Sequence, residues 1–195
     1  MDGFQKRREQ KKVNILEGAL DLFMEFGIQK VSIAEIAKQA NVSQVTIYNY
    51  FKSKHNLVRE VFIYYINKVS DEFEQLMRSD IPFPDKVKTI IFNKKEAASS
   101  IHEELYQYFM KEYKQDVNYI EQIYVQRIFP YIVQLLDEGK EQGYVDPTLS
   151  TEAVMFYFQM MKEYMQREDI YTKVLPLTED ITKILFYGIS GKGEQ

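Results

Sequence analysis

The sequence predicts an all-α protein: an N-terminal three-helix head with a helix-turn-helix, followed by a longer helical bundle, about nine helices in all. Three observations carry this. Apolar residues recur at i, i+3, i+4, i+7 along nearly the whole chain, with almost no period-two strand pattern. The stretch from Ser32 to Phe51, SIAEIAKQANVSQVTIYNYF, holds capping residues at two helix starts and a three-residue turn between them. Gly27, Pro82, Pro84 and Gly143 fall where the periodicity stops.

The first helix is expected from Arg7 to Phe26. Ile15, Leu16, Ala19, Leu20, Leu22, Phe23 and Phe26 form its apolar stripe, and Gly27 stops it. A basic cluster, Lys6, Arg7, Arg8, Lys11 and Lys12, precedes the stripe. Two readings fit it: an arm that contacts a sugar-phosphate backbone, or a solvated terminus. The second helix starts at Ser32, which caps free amides while Glu35 reaches back to complete a capping box. Val31 and Ile36 occupy the positions of a hydrophobic staple. In the turn Asn41-Val42-Ser43, Asn41 tolerates a left-handed backbone and Ser43 caps the third helix. On that helix Ile47 and Phe51 share a buried face. Gln44, Val45, Thr46, Tyr48 and Asn49 lie on or flank the opposite one. Amides, hydroxyls and a methyl-bearing side chain suit base edges and phosphates.

A fourth helix, capped by Ser53, is expected to run to about Arg78. Helical spacing resumes after the prolines, over 87–98, 101–109 and 117–136, with Pro130 expected to kink or interrupt the last. Asp146-Pro147 reads as a cap with proline at the first helical position. From Ala153 to Met165 apolar residues occur almost all round the helix, which asks for burial on more than one side. A last helix is expected from Thr178 to about Ile189.

Bulk properties narrow the function classes. With 195 residues, 45% hydrophobic and 28% charged, the composition is that of an ordinary globular protein. Having no cysteine excludes disulfides, thiolate metal sites and thiol nucleophiles. The charged start MDGFQKRREQKK is unlike a signal peptide, and no apolar run approaches the roughly 18 residues of a membrane helix, so a cytoplasmic protein with no membrane partner is expected. Net charge is −4, but residues 1–60 carry 10 Lys+Arg against 7 Asp+Glu, while residues 61–195 carry 15 against 22. A basic head on an acidic body suits a protein that offers one end to DNA. No phosphate loop, nucleophile elbow or zinc-binding pair of histidines is present, so no catalytic residue, metal ligand or cofactor is assigned. His102 stands alone beside Glu103 and Glu104 and reads as a surface or core-edge residue.

The string 32–54 resembles the DNA-binding segment of the TetR family of bacterial transcriptional regulators. Ile36, Ala37, Ala40, Val42, Ser43, Thr46, Tyr48, Phe51 and Lys54 match its pattern. Ser32 stands for a threonine, and Asn41 and Val45 for glycines. The resemblance implies a DNA-binding domain at 1–53 and a helical effector-binding and dimerisation domain at 54–195. It implies a non-enzymatic homodimeric repressor on a palindromic double-stranded operator, released by a small-molecule effector. Its DNA contacts would come from Ser32, Gln44, Val45, Thr46, Tyr48, Asn49, Tyr50 and Lys54. Gln44 and Asn49 are the candidates for base amides and Val45 for a thymine methyl; the others would grip phosphates. The aromatic and methionine-rich body admits two readings, plain core or a pocket for a small apolar or aromatic effector. The pocket reading names Phe92, Tyr106, Phe109, Met110, Tyr113, Tyr124, Phe156 and Met160. Family dimers pack their last two helices together, which would place Val154, Phe158, Met161, Ile181, Leu185 and Ile189 at the interface. A regulator without an effector, controlled by a protein partner, is the alternative, and a helical enzyme a distant third.

Overall fold

The computed structural model describes residues 3–115, 119, 122–165, 167 and 169–188. Among them every regular element is helical. These are α1 (Gly3–Phe26), α2 (Ile33–Gln39), α3 (Gln44–Phe51), α4 (Lys54–Arg78), α5 (Phe83–Ser100) and α6 (Glu103–Gln115). A π-turn (Tyr124–Ile128) leads into α7 (Phe129–Glu141), followed by α8 (Thr151–Met165), the single turn α9 (Tyr171–Val174), a 3-10 turn (Leu175–Leu177) and α10 (Thr178–Tyr187). No helix among the described residues is long and apolar enough to cross a membrane.

The chain packs as two compact units. One is Met1–Val69 with Ser100–Gln115; the other is Ser70–Ser99 with Asp116–Gln195. The packing boundary therefore differs from a division at residue 53, because α6 belongs with the head.

In the first unit, Ile15, Leu16, Ala19, Leu20 and Phe23 of α1 are buried with Ile33, Ile36 and Ala37 of α2, Ile47 and Phe51 of α3, and Leu57, Val58, Val61 and Phe62 of α4. Helices of seven and eight residues are too short to persist alone, so this shared core holds α2 and α3 in shape. α6 adds Leu105 and Phe109, the latter with its ring 5.2 Å from that of Phe62 and 5.0 Å from that of Tyr65. Polar ties reinforce the assembly: Lys12 pairs with Glu60 at 2.9 Å, and the Tyr64 hydroxyl donates to Glu17 at 2.8 Å.

The turn between α1 and α2 is held from two sides. Gly27 adopts φ +80°, and a Cβ there would lie 2.5 Å from Glu104 Oε2 and 2.8 Å from the His102 ring. The Gln29 amide donates to the Glu104 carboxylate at 3.2 Å, and Lys54 Nζ donates to the Ile28 carbonyl at 2.6 Å. His102 Nδ1 accepts from the Glu104 amide at 3.2 Å, so His102 shapes the start of α6. Gly27→Ala combines left-handed strain with displacement of Glu104. It is expected to cost about 2–3 kcal/mol, read as a lowered Tm in a thermal melt.

In the second unit, Met77, Phe83, Val87, Ile90, Ile91, Leu135 and Val145 form one apolar cluster, and Leu136, Val154 and Met155 another. Gly139 sits where a Cβ would meet Val145 Cγ2 at 2.6 Å and Phe83 Cε2 at 2.7 Å. Lys86, almost wholly buried, is neutralised by Glu138 at 2.8 Å.

Most expected boundaries hold, with one correction at Asp146. Asp146 does not cap a helix: its carboxylate accepts from the Thr148 amide at 2.8 Å in a local turn, and α8 starts at Thr151 with Ser150 Oγ accepting from the Ala153 amide. Pro130 interrupts its helix through the π-turn. Phe129 donates to the Tyr124 carbonyl five residues back, a wider turn that opens the segment in front of a ring that would otherwise press on an α-helical carbonyl.

Candidate nucleic-acid interface

The recognition helix owes its shape to local chemistry. Ser32 Oγ accepts from the Glu35 amide at 3.2 Å while the Ser32 amide donates to Glu35 Oε2 at 2.7 Å, completing the capping box of α2. These bonds, with the Ser32 hydroxyl foremost, hold the Glu35 carboxyl below its usual range. Asn41 takes φ +52°, as the turn requires. Ser43 Oγ then accepts from the Thr46 amide at 3.1 Å and shares a hydrogen bond with Thr46 Oγ1 at 2.9 Å, starting α3. At its other end Lys52, at φ +67°, donates its amide to the Tyr48 carbonyl. A lysine at positive φ is strained. Lys52→Gly is therefore expected to raise stability by about 0.5–1 kcal/mol, checked by denaturant titration.

Ile47 and Phe51 turn inward, and the opposite face of α3 is open. Gln44, Tyr48 and Asn49 are exposed, and Val45, 67% exposed, is the most prominent apolar group on it. These four side chains keep their polar or methyl ends outward. The other four candidates are engaged inside the protein. Ser32 is spent on its cap, and Thr46 is half-buried against Ser43. The Tyr50 hydroxyl donates to the Arg8 carbonyl at 3.0 Å, and Lys54 is bonded to Ile28. Nothing in the sequence marks the last two ties, because both partners are backbone carbonyls more than twenty residues away. Sequence reasoning also missed Phe4, which joins Arg7, Arg8, Lys11, Asn49 and Tyr50 in lining a cleft of about 380 Å³ between α1 and α3.

The body candidates divide differently from expectation. In the first unit Phe109 is buried, and Tyr106 and Met110 are half-buried. Beside them lies a pair the sequence does not advertise: Glu112, only 8% exposed, and Tyr108, whose phenol is pushed up by burial and then by the Glu112 carboxylate. The side chain of Tyr113 lies outside the described residues. In the second unit Tyr124 is half-buried, whereas Phe92, Phe156 and Met160 stand exposed. Phe92 edges an open groove of about 210 Å³ with Lys88, Lys95, Glu179 and Lys183.

The residues expected at an interface differ in their exposure within a single chain. Val154 is 5% exposed and packs with Leu136 and Met155, and Phe158 leans on that same cluster. Met161, Ile181 and Leu185 are half-buried, and Ile189 lies outside the described residues. Phe156, Met160 and Tyr164, spaced by four, form the outward face of α8 instead, and Ile184 and Tyr187 that of α10. A helix apolar on all sides gives no sign of which side meets its own core.

A capped helix pair with an open, polar-and-methyl recognition face, set in a basic head, defines a helix-turn-helix DNA-binding regulator. The sequence model of the bacterial regulatory proteins of the tetR family matches residues 15–61, which places the N-terminal head in that family. It is 26% identical over 161 residues to the HTH-type transcriptional regulator YhgD of Bacillus subtilis, covering 80% of this chain and 81% of that one. It is 27% identical over 86 residues to the fatty acid metabolism regulator protein of the same organism, 44% of each chain. The crystal structure of a TetR transcription regulatory protein from Mycobacterium vanbaalenii shares the fold, with a TM-score of 0.65 at 17% identity over 96% of this chain and 99% of that one. Among the described residues no cluster of three His, Asp or Glu side chains is placed to hold a metal ion.

Proposed function

We propose that the protein is a repressor that binds a palindromic operator as a homodimer and lets go when a small apolar or aromatic effector occupies its helical body. The outward, unbonded face of α3 carries this reading. Two such helices about 34 Å apart would enter successive major grooves, as helix-turn-helix dimers do. Gln44 would read a base edge and Val45 a thymine methyl, while Tyr48 would hold the backbone. The outward apolar faces of α8 and α10 would meet their counterparts across the two-fold axis. On α6, Tyr106 and Met110 would supply apolar contact to the effector, and the buried Glu112 carboxylate beside Tyr108 would accept a hydrogen bond from its polar end.

A gel shift on the duplex upstream of the protein's own reading frame tests the reading. Binding that survives competitor DNA supports it, and equal binding to random duplex overturns sequence-specific regulation. Gln44→Ala is expected to cost about 1–3 kcal/mol on the operator and to relax preference at one base position, measured on a set of single-base operator variants. The exposure of Phe92, Phe156 and Met160 favours a second reading, in which a protein partner replaces the effector. Thermal-shift screening against small aromatic and acyl compounds separates the two: a compound that raises Tm and releases the operator supports the effector.

A further inference from the structure

The apolar stripe of α1 begins at Ile15, its first buried residue, yet the helix starts at Gly3. Residues 3–11 are all exposed, so core burial does not account for three extra turns of helix. What those turns do is hold charge in place. Arg7, Arg8 and Lys11 line the cleft with Phe4, and the far wall is Asn49 and Tyr50 of the recognition helix. No carboxylate lines it. Arg7 and Lys11 stand one turn apart on the same face, a like-charged pair that an anion between them would relieve. Lys12, by contrast, is already paired with Glu60. The two walls are tied together. The Tyr50 hydroxyl donates to the Arg8 carbonyl at 3.0 Å, and the Arg8 guanidinium lies over the Tyr50 ring, 5.9 Å from its centroid.

We propose that this cleft is a phosphate clamp for the DNA backbone flanking the base-reading face: Arg7, Arg8 and Lys11 neutralise the strand, and Asn49 donates its amide to a phosphate and not to a base. Guanidinium forks, an ammonium and an amide converging without a carboxylate form the donor set that phosphodiesters take. Tyr50 is a positioning residue here. Its hydroxyl is spent on Arg8, and its work is to hold the first turns of α1 beside α3. The clamp also gives the basic head a geometry: three of its cations sit next to the helix that enters the groove. This inference rests on the DNA-binding reading, and its test separates the two.

Full-length protein is titrated by fluorescence anisotropy onto its upstream duplex and onto a random duplex between 50 and 200 mM salt. The triple variant Arg7→Ala/Arg8→Ala/Lys11→Ala should bind both duplexes about tenfold to a hundredfold more weakly at low salt. The slope of log K against log salt should flatten by about one to two. The charge-matched control Lys68→Ala/Lys88→Ala/Lys111→Ala, on exposed lysines that do not line the cleft, should leave that slope unchanged. An unaltered slope in the first triple, or equal flattening in the control, overturns the clamp while leaving the DNA reading intact. Asn49→Ala should lose affinity by the same factor on every single-base operator variant, and a loss confined to one base position overturns its assignment. Tyr50→Phe should speed amide exchange over residues 4–12 in the DNA-free protein, and unchanged exchange overturns its positioning role. Failure of the wild type to bind any duplex overturns the DNA reading and the clamp with it.

Discussion

Replacing Ile47 by alanine is expected to cost about 2–4 kcal/mol of stability and to abolish operator binding at concentrations where the wild type is saturated. The side chain is 1% exposed and projects from a helix only eight residues long. Such a helix has no independent stability, so its orientation depends on the few groups that fix it to the head: Ile47, Phe51 and the Ser43 cap. Removing three carbons there leaves a void under the surface that must meet the groove, and rotation of the helix by even part of a turn misdirects Gln44 and Val45. Ile47→Val, which removes one methylene, should cost about 0.5–1.5 kcal/mol and retain binding. Urea denaturation followed by gel shift checks both. Full operator affinity in a stably folded Ile47→Ala protein would show that α3 is held by something other than its buried face.

The second large effect concerns the outward face of α8 and α10. Phe156→Asp combined with Ile184→Asp should turn a dimer into a monomer on sedimentation. It should also weaken operator binding by about 10²- to 10⁴-fold, the advantage of two linked recognition helices over one. Both side chains are about two-thirds exposed, so neither charge is forced into the protein's own core and the fold should survive. Val154→Asp provides the contrast. Val154 is buried with Leu136 and Met155, and a carboxylate there should unfold the second unit instead of merely separating subunits. If Val154→Asp gave a folded monomer and the double variant stayed dimeric, the interface would lie elsewhere.

How much of this was legible depends on the range of each signal. The head was readable nearly residue by residue because its signals are local. Ser32 and Glu35 cap within three residues, Asn41 sits at the one strained φ of its turn, and Ser43 is adjacent to the helix it starts. The phase of α8 was not readable. Alternation between polar and apolar sides is what reveals a buried face, and AVMFYFQMMKEYM has almost none. Val154, expected at an interface, is buried in its own unit, and Phe156, expected in a pocket, is exposed. The bonds from Lys54 to Ile28 and from Tyr50 to Arg8 escaped for another reason. Backbone carbonyls have no identity in a sequence, so a side chain that appears free for a phosphate can be held by the main chain of a distant segment. Asp146 misled because an aspartate before proline serves a turn as well as a helix start.

The grip of α6 on the α1–α2 turn bears on how such regulators can be recombined. The region matched by the family model ends at residue 61, and a chimera builder would cut there to give this head a new sensor. Such a hybrid would lose the Glu104 carboxylate from the Gln29 amide, leave Gly27 without the partners that need its missing side chain, and drop Phe62 and Tyr65 together with the Phe109 ring that packs on them. Its recognition helix would be present in sequence but loosely mounted. The transplantable cassette is discontinuous: residues up to 69 together with 100–115, so that a graft must carry the sixth helix along or supply a recipient helix with a carboxylate at the same place.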